Sequence, residues 1–349
     1  MRRAGHLMPA IADPDNLRQA FLKAARGKSG KREVQHFRDQ LDVELPRLRA
    51  GLLGEVPVSL GDYHYFMIRD PKPRRICAAA FRERVLHHAI MNVCEPVFER
   101  FLLPDTFACR KGYGRQAAAD AAQRHAKQYP WHLQLDIRRY FDSIHHRVLK
   151  CLLERRFKDP ALLSLFARLL DTYETTPGRG LPIGNLTSQH FANFYLGHFD
   201  HWIKRTLKAP AYIRYMDDFV LWHDDKDTLK SWHCSIVTWL DKELYLDVKP
   251  PVLNHVDRGL TFLGFRLRPG SRRLTAHRRH RLRRRARALS QDAVISDVGE
   301  GRTQTRLQAI VALCDQAGGP RDRRSVFLST LSGKDPRREP REPRRQLEQ

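Results

Sequence analysis

The chain has 349 residues, of which 42% are apolar, and this is enough to build a sizeable buried core. Its 63 Lys and Arg outnumber its 39 Asp and Glu and give a formal net charge of +24 at neutral pH. Such an excess attracts polyanions, so nucleic acid is the first partner to consider. A well-solvated surface or a structural RNA-associated protein would carry the same charge.

The sequence argues against a disulfide-stabilised protein and against a membrane protein. The six cysteines are scattered without a CxxC pair, and a chain of this length needs no disulfide scaffold, so we expect reduced thiols. Residues 1–12 include basic residues but no apolar run of signal length, and no eighteen consecutive residues are apolar. We therefore expect a soluble, cytoplasmic protein with no membrane partner.

The first elements in chain order are predicted to be helices followed by a hairpin. Residues 15–53 have helical spacing, with Asp15 or Asn16 as the first cap and a break at 27–30. Residues 63–76 alternate around a turn that contains two prolines, which is typical of a hairpin, and the hairpin is basic.

The central part of the chain is predicted to contain one long helix and short strands. A helix is expected at 82–101, where Pro96 implies a kink or a restart. Residues 131–135 alternate like a strand that runs directly into Asp136. A second long amphipathic helix begins near Thr187.

The last part of the chain changes from strands to a basic helical composition. Residues 211–222 form two short strands joined by a turn, a helix follows at 227–244, and residues 259–267 again have the pattern of a strand. Eleven arginines then fall between 266 and 287, which indicates a separate basic helical subdomain. The final segment, 333–349, has Leu347 as its only apolar residue and is predicted to be disordered.

Acidic residues follow two of the predicted core strands. Asp136 ends one strand, and Asp217 and Asp218 lie in the turn between two others. An isolated Asp pair in a turn is usually a solvated hairpin tip. Adjacent strands could instead bring the three carboxylates together, and a cation would then have to neutralise them. Hard oxygen ligands favour Mg²⁺, and two such ions can activate a 3′-hydroxyl and stabilise a leaving pyrophosphate.

Four segments resemble those of reverse transcriptases, in the same order along most of the chain. Tyr215-Met216-Asp217-Asp218 looks like the catalytic motif of that family, and Asp136 with Phe141 is similar to its upstream palm motif. Residues 107–112 and 262–265 resemble two further blocks. The resemblance implies an α+β right-hand polymerase fold with fingers, a palm built of an antiparallel sheet and helices, and a short helical thumb.

The resemblance also implies a division of the chain. The expected parts are an N-terminal helical extension at 1–60, fingers at 61–130, a palm with the catalytic carboxylates at 131–265, a basic helical thumb at 266–332 and a disordered tail at 333–349.

By the same resemblance, Asp136, Asp217 and Asp218 are catalytic residues that bind two Mg²⁺ ions, for which Mn²⁺ is a possible substitute. The backbone carbonyl of Ile137 is a further metal ligand. Phe141 occupies the position of the steric gate, where a bulky aromatic ring would collide with a ribose 2′-hydroxyl; the alternative is an ordinary core aromatic.

Three more residues are expected to bind the nucleotide. Arg74 lies where the family's fingers hairpin places a basic residue on the triphosphate, although Lys72 and Arg75 are close candidates. Lys249 resembles a lysine that protonates the leaving pyrophosphate, but Pro250 follows it here, and a solvated lysine is the alternative. Gln189 either caps its helix or touches the nucleotide.

Ile183 suggests which kind of reverse transcriptase this is. Most relatives have a glutamine before the following glycine, whereas Ile183 and Ser188-Gln189 look like the signature of diversity-generating retroelements. Those enzymes copy a template RNA with errors opposite adenine. Loss of a directional hydrogen bond to the nascent pair would lower discrimination. The alternative is that Ile183 only packs in the palm core.

Three functions are therefore considered. The first is an error-prone reverse transcriptase that uses template RNA, primer, cDNA and dNTPs, with a small basic accessory protein as a partner. The second is a retron or antiviral defence-type reverse transcriptase. The third, from another class, is a catalytically silent RNA-binding protein.

Overall fold

The computed structural model describes residues 3–69, 73–295 and 300–331. It has the predicted α+β class. The described residues divide into two compact units, one within 1–118 and 133–253 and the other within 119–132 and 254–331. No helix of the described residues combines the length and the apolar character needed to cross a bilayer. The tail predicted to be disordered, 333–349, lies outside the described residues.

The N-terminal part of the first unit is helical. Its four helices are α1 (Met8–Ile11), α2 (Pro14–Ala25), α3 (Arg32–Asp39) and α4 (Leu41–Leu53). The predicted break is confirmed, since Gly27 adopts a positive φ of 70° after α2. The predicted cap is wrong: Asp13 accepts hydrogen bonds from the N–H groups of Asp15 and Asn16, because Pro14 fixes the first helical position earlier than expected.

The predicted hairpin is confirmed as β1 (Tyr63–Arg69) paired antiparallel with β2 (Pro73–Ala79). Its turn lies outside the described residues. A long helix, α5 (Phe81–Glu99), follows and continues through Pro96, so the predicted restart is wrong. Pro96 has no N–H to donate, so it removes one hydrogen bond of the helix without ending it.

Three helices in the middle of the chain were not anticipated. They are α6 (Arg115–Gln128), α7 (Tyr140–Ser143) and α9 (Pro160–Asp171), and α8 (His146–Glu154) lies between the last two. The side chain of Asp159 caps α9 and also accepts hydrogen bonds from the N–H groups of Leu7 and Met8. The carboxylate therefore ties the N-terminal segment to the start of α9.

A four-stranded sheet carries the acidic residues. Its strands are β3 (Trp131–Asp136), β4 (Ala211–Tyr215), β5 (Asp218–His223) and β6 (Val252–His255), in the order β4-β5-β3-β6. The predicted pair of strands and their turn are confirmed. The long helices α10 (Leu186–Arg205) and α11 (Lys226–Leu244) also agree with the predicted starts near Thr187 and Asp227.

Aromatic side chains fill the core of the first unit. Phe98 on α5 packs against Phe157, Phe191 and Phe194, with ring centroids 5.3, 6.3 and 5.2 Å away. All four rings are buried. Burial of large aromatic rings supplies much of the apolar area that stabilises a unit of this size.

The second unit contains a small sheet and the basic helices. The strands are β7 (Leu260–Phe262), β8 (Phe265–Arg268) and β9 (Ser271–Leu274), and the helices are α12 (Ala276–Ile295), α13 (Glu300–Gly318) and α14 (Pro320–Leu331). The single strand predicted at 259–267 is wrong. Leu263 and Gly264 both adopt positive φ, so the chain reverses there and pairs Phe262 with Phe265.

The arginine-rich segment is only partly exposed. Arg278 is buried and lies over the Phe265 ring at 4.4 Å, and Arg283 donates to the Ser325 carbonyl oxygen at 2.6 Å. These two side chains stabilise the second unit. The exposed arginines of the segment are Arg266, Arg268, Arg273, Arg284 and Arg285.

Candidate active site

The three predicted catalytic carboxylates lie at the ends of two neighbouring strands. Asp136 is the last residue of β3, and Asp218 is the first residue of β5, which lies next to β3 in the sheet. The turn between β4 and β5 is tied to β3, since the Ile137 N–H donates to the Asp217 carbonyl oxygen at 3.3 Å. The fold therefore brings Asp136, Asp217 and Asp218 to one edge.

The turn that carries Asp217 has an uncommon backbone conformation. Met216 adopts a φ of 58°, in the left-handed region that residues with a side chain rarely occupy. Tyr215 and Asp218 pair across the turn, so only Met216 and Asp217 lie between the two strands. A positive φ in so tight a turn needs support from the surrounding structure.

Arg214 gives that support from within the core. Its side chain is fully buried and donates to the Met216 carbonyl oxygen at 3.0 Å. It also binds both carboxylate oxygens of Asp200 on α10, at 2.7 and 2.6 Å, and the side-chain oxygen of Asn193 at 2.9 Å. A planar guanidinium can make all of these bonds at once. Arg214 therefore links the turn to α10.

Asp200 is itself fully satisfied by this network. In addition to Arg214, the hydroxyl groups of Thr106 and Tyr212 each donate to its carboxylate at 2.7 Å. Because a buried charge is costly unless it is paired and hydrogen-bonded, neither Arg214 nor Asp200 could stay in this core without the other.

Desolvation and mutual repulsion raise the pKa of two of the carboxyl groups. Burial raises the pKa of Asp217 above its usual range, Asp136 raises it further, and Lys249 and Arg74 oppose the rise. Burial is also the main reason that the pKa of Asp218 rises to about 7, with Asp136 and Asp217 adding to it. The Gln134 side chain opposes this rise by donating to Asp218 Oδ1 at 3.0 Å.

A lysine lies against the carboxylate cluster. Lys249 Nζ is 2.7 Å from Asp136 Oδ1, and the backbone N–H of Lys249 donates to the Asp136 carbonyl oxygen at 2.8 Å. Ile137 is bridged to Val248 beside this contact. A solvated lysine was the alternative for Lys249. In the structure its ammonium group is instead paired with the Asp136 carboxylate.

The carboxylates of the cluster are oxygen donors of the kind that a divalent cation prefers. Desolvated carboxylates that repel one another are the groups a hard cation stabilises. Among the described residues, no three His, Cys, Asp or Glu side chains are gathered tightly enough to hold an ion by themselves. Mg²⁺ usually keeps waters and takes further ligands from substrate phosphates, so this arrangement fits an ion bound together with a nucleotide.

The residues predicted to bind the triphosphate and sugar lie on two elements. Arg74 is exposed on β2, opposite Ile68 in the hairpin, and its charge acts on Asp217. Arg75 lies over the Tyr65 ring at 4.0 Å, whereas Lys72 is outside the described residues. Phe141 is in α7, partly exposed, with its ring edge-on to Tyr140 at 5.9 Å.

Ile183 is joined to the hairpin through its backbone. The Cys77 N–H of β2 donates to the Ile183 carbonyl oxygen at 2.8 Å, and the Ile183 side chain is half-buried. Gly184 has a φ of 125°, and a Cβ there would lie 2.9 Å from the Ile76 side chain. Only glycine fits this close approach without strain.

Gln189 does not cap its helix. Helix α10 begins at Leu186, so Gln189 is one turn inside it, and its backbone N–H is bonded to the Asn185 carbonyl oxygen. Its side-chain oxygen accepts from the Cys109 thiol at 3.6 Å. The prediction that Gln189 caps its helix is therefore wrong, and its contact with the nucleotide stays a prediction.

Two residues of this site were missed in the sequence. Gln134 lies two residues before Asp136 and therefore on the same face of β3. This spacing could have indicated that the Gln134 side chain lies beside the carboxylates. Arg214 stands in the otherwise apolar run of β4, and a charged residue at such a position signals a buried partner. No sequence spacing identifies Asp200 as that partner.

Comparison with known proteins identifies the family. Residues 69–267, more than half of the chain, match the profile of the reverse transcriptase (RNA-dependent DNA polymerase) family. The chain belongs to the reverse transcriptase family. The matched range includes the carboxylate cluster, Arg74, Ile183 and Lys249, so the prediction of an RNA-directed DNA polymerase is confirmed at the level of the family.

Curated relatives of this reverse transcriptase include a bacterial and a fungal protein. Protein YkfC of Escherichia coli is 25% identical over 279 residues, which cover 65% of this chain and 72% of YkfC. An uncharacterized 91 kDa protein encoded in a cob intron of Schizosaccharomyces pombe is 27% identical over 129 residues, which cover 35% of this chain and 16% of that protein.

Solved structures similar to this reverse transcriptase include telomerases. Telomerase from Candida albicans, in complex with a fragment of telomeric RNA, matches with a TM-score of 0.47 and 11% identity. The match covers 78% of this chain and 55% of the telomerase chain, so this chain spans about half the length of that protein.

We predict that Arg214→Met destabilises the protein strongly, because it leaves the Asp200 carboxylate buried without its cation. The free energy of unfolding in urea should fall by about 3–5 kcal/mol. Arg18→Met, at an exposed position on α2, is the matched control and should change it by less than about 0.5 kcal/mol.

The double variant Arg214→Met/Asp200→Asn should be less destabilised than the sum of its single variants. The amide that replaces the Asp200 carboxylate carries no charge. Thr106 and Tyr212 bind different oxygens of Asp200, so the amide oxygen can accept from one hydroxyl group while the amide NH2 donates to the other. Additive losses in this double-mutant cycle would show that the two side chains are not coupled as the distances indicate.

Proposed function

We propose that this reverse transcriptase copies a template RNA into cDNA by two-metal nucleotidyl transfer. The observation that carries the proposal is that Asp136, Asp217 and Asp218 lie at one edge of the sheet. Asp217 lies in the turn whose Met216 carbonyl oxygen accepts a hydrogen bond from Arg214. The protein would act in the cytoplasm on template RNA, primer and dNTPs.

The carboxylates would hold two divalent ions, Mg²⁺ in the first instance and Mn²⁺ as a substitute. Bound ions of this kind lower the pKa of the attacking 3′-hydroxyl and stabilise the charge on the leaving pyrophosphate. Asp136 and Asp217 would contact both ions, the Ile137 carbonyl would complete one coordination shell, and Asp218 would be more peripheral. Raised pKa values at Asp217 and Asp218 support this assignment, since a cation relieves the repulsion that contributes to them.

Three residues would orient the incoming nucleotide. Arg74 would bind triphosphate oxygens, Phe141 would exclude the ribose 2′-hydroxyl, and Lys249 would donate a proton to the leaving pyrophosphate. The contact between Lys249 and Asp136 supports the last role, because it places an ammonium group beside a proposed metal ligand. Exposed arginines of the second unit would contact the phosphates of template and primer.

We predict that Asp217→Asn abolishes primer extension. Purified protein given a primed RNA template, dNTPs and Mg²⁺ should extend the primer, and losing a carboxylate that contacts both ions should lower the rate by about 10³-fold or more, equivalent to roughly 4 kcal/mol of the activation barrier. Asp224→Asn, an exposed aspartate just after β5, is the matched control and should retain activity.

Extension that survives Asp217→Asn would contradict the metal assignment. A folded protein that binds RNA but shows no extension with any divalent ion would instead favour the catalytically silent alternative.

We further propose that copying is error-prone at template adenines, as in a diversity-generating retroelement, with a small basic accessory protein as a partner. Support comes from Ile183, which is joined to the Arg74 hairpin through the Cys77 N–H and offers no side-chain hydrogen bond to a base pair or sugar. Without a directional contact, the penalty for a wrong pair falls. Gln189, whose side chain contacts Cys109, would lie near the nucleotide.

Sequencing the cDNA tests this subtype. In the wild-type product, misincorporation should concentrate at template adenines, and Ile183→Gln should reduce it by about threefold to tenfold, corresponding to roughly 1 kcal/mol of regained discrimination. Ile183→Val keeps the position apolar and should leave the error spectrum unchanged. Uniformly accurate copying by the wild type would instead favour a retron or defence-type enzyme.

A further inference from the structure

Three recesses of the first unit share lining residues, which belong to α8, α10 and α11 and to the segments that follow α5, α8 and α11. One recess of about 340 Å³ shares Arg155 and His198 with a second of about 370 Å³. The second shares Trp239 and Lys242 with a third of about 430 Å³. We call the three together the basic groove. None of its lining residues belongs to the carboxylate cluster.

One end of the basic groove is strongly cationic. The described residues that line this recess include no acidic side chain, and its polar side chains are Arg100, Arg155, Arg156, Arg205, His198 and His201. The ion pairs found among the described residues involve none of Arg100, Arg155 and Arg205, and all three are exposed. Guanidinium groups held together in this way attract an anion.

The histidine and aromatic side chains of this end are held in place. Phe101 packs against the rings of both His198 and His201, with centroids 4.6 and 4.7 Å away. The Arg156 guanidinium lies 4.1 Å from the centre of the Phe101 ring. His201 Nε2 is 2.9 Å from the Phe101 carbonyl oxygen. A recess whose lining is fixed by such contacts is organised before any ligand arrives.

His198 is the least satisfied group in this recess. Its Nε2 is buried and has no hydrogen-bond partner among the described residues. Burial is the main reason that the pKa of His198 falls to about 3, and the neighbouring Arg156, His201 and Arg155 add to the fall. The imidazole is therefore neutral at neutral pH, and the positive charge of this recess comes from its arginines.

The other end of the basic groove is aromatic. Trp202 and Trp239 stack with ring centroids 5.2 Å apart and an angle of 21° between the planes, and both are partly exposed. Lys242 and Glu243 also line this recess, so their charges offset each other and the positive charge is concentrated at the arginine end. A partly exposed indole pair offers an aromatic face on which a nucleobase can stack.

We propose that the basic groove binds a segment of single-stranded RNA outside the catalytic cluster, with its phosphates at the arginine end and its bases against the tryptophan pair. Guanidinium forks suit phosphate oxygens, and the aromatic faces supply stacking that an acidic peptide would not use. The groove would hold template RNA away from the site of synthesis. This proposal does not depend on polymerase activity.

Binding without primer or dNTPs tests the proposal. The probe is a fluorescent oligouridine of about 20 nucleotides, longer than a typical single-strand site of roughly 4–16 nucleotides. Arg100→Ala/Arg155→Ala/Arg205→Ala should weaken binding by about tenfold or more at 0.15 M salt, and the slope of log K against log salt should fall by about 2, since each phosphate contact on a single strand contributes about 0.7.

The matched control removes three exposed arginines from the N-terminal helices, as Arg18→Ala/Arg38→Ala/Arg47→Ala. It changes the net charge equally and should weaken binding by less than about threefold, because separated surface charges are screened at this salt concentration. Primer extension on a short primed template should be within about twofold of wild type for both triple variants, since neither touches the catalytic cluster.

A second measurement uses the unmodified protein. A 5-bromouridine version of the probe should form photo-cross-links to Trp202 or Trp239, identified by mass spectrometry. Equal affinities and salt slopes for the two triple variants, or cross-links that fall only outside the groove, would overturn the proposal. Loss of polyglutamate binding in the groove variant, with oligouridine binding intact, would overturn it in favour of an acidic protein partner.

Discussion

The buried pair of Arg214 and Asp200 is the interaction on which the position of the acidic turn depends. Met216 adopts a positive φ in the turn that carries Asp217 and leads into Asp218, and the Arg214 side chain donates to the carbonyl oxygen of Met216. The same guanidinium is anchored to α10 through Asp200 and Asn193. Helix α10 and the acidic turn are thus parts of one hydrogen-bonded assembly.

Charge balance explains how three carboxylates can lie together in this protein. Repulsion and desolvation raise the pKa values of Asp217 and Asp218, while Lys249 and Arg74 supply opposing positive charge. The Lys249 ammonium group forms an ion pair with the Asp136 carboxylate. The arginine-rich segment does not take part in this balance. Arg278 and Arg283 pack within the second unit, and the other described arginines of the segment include exposed side chains.

The sequence predicted the elements that repeat a simple pattern and missed those that depend on distant contacts. Strand alternation and the acidic turn identified β3, β4 and β5, whereas the α+β class was expected from the resemblance to reverse transcriptases. Helix α6 was missed because its alanine-rich sequence has little apolar contrast, although the Asp159-Pro160 pair was a readable start for α9. The reversal at Leu263 could not be anticipated, because a positive φ is uncommon for leucine. Pairing of Arg214 with Asp200 is a property of the fold alone.

The central claim is that the three carboxylates form a site for divalent ions, and counting bound ions tests it most directly. Mn²⁺ can be titrated into the protein bound to a primed template and a non-hydrolysable nucleotide, with free Mn²⁺ followed by electron paramagnetic resonance. Wild-type protein should bind about two ions tightly, as expected for two-metal catalysis, and Asp217→Asn should lose at least one of them. The same number of tightly bound ions in both proteins would contradict the claim.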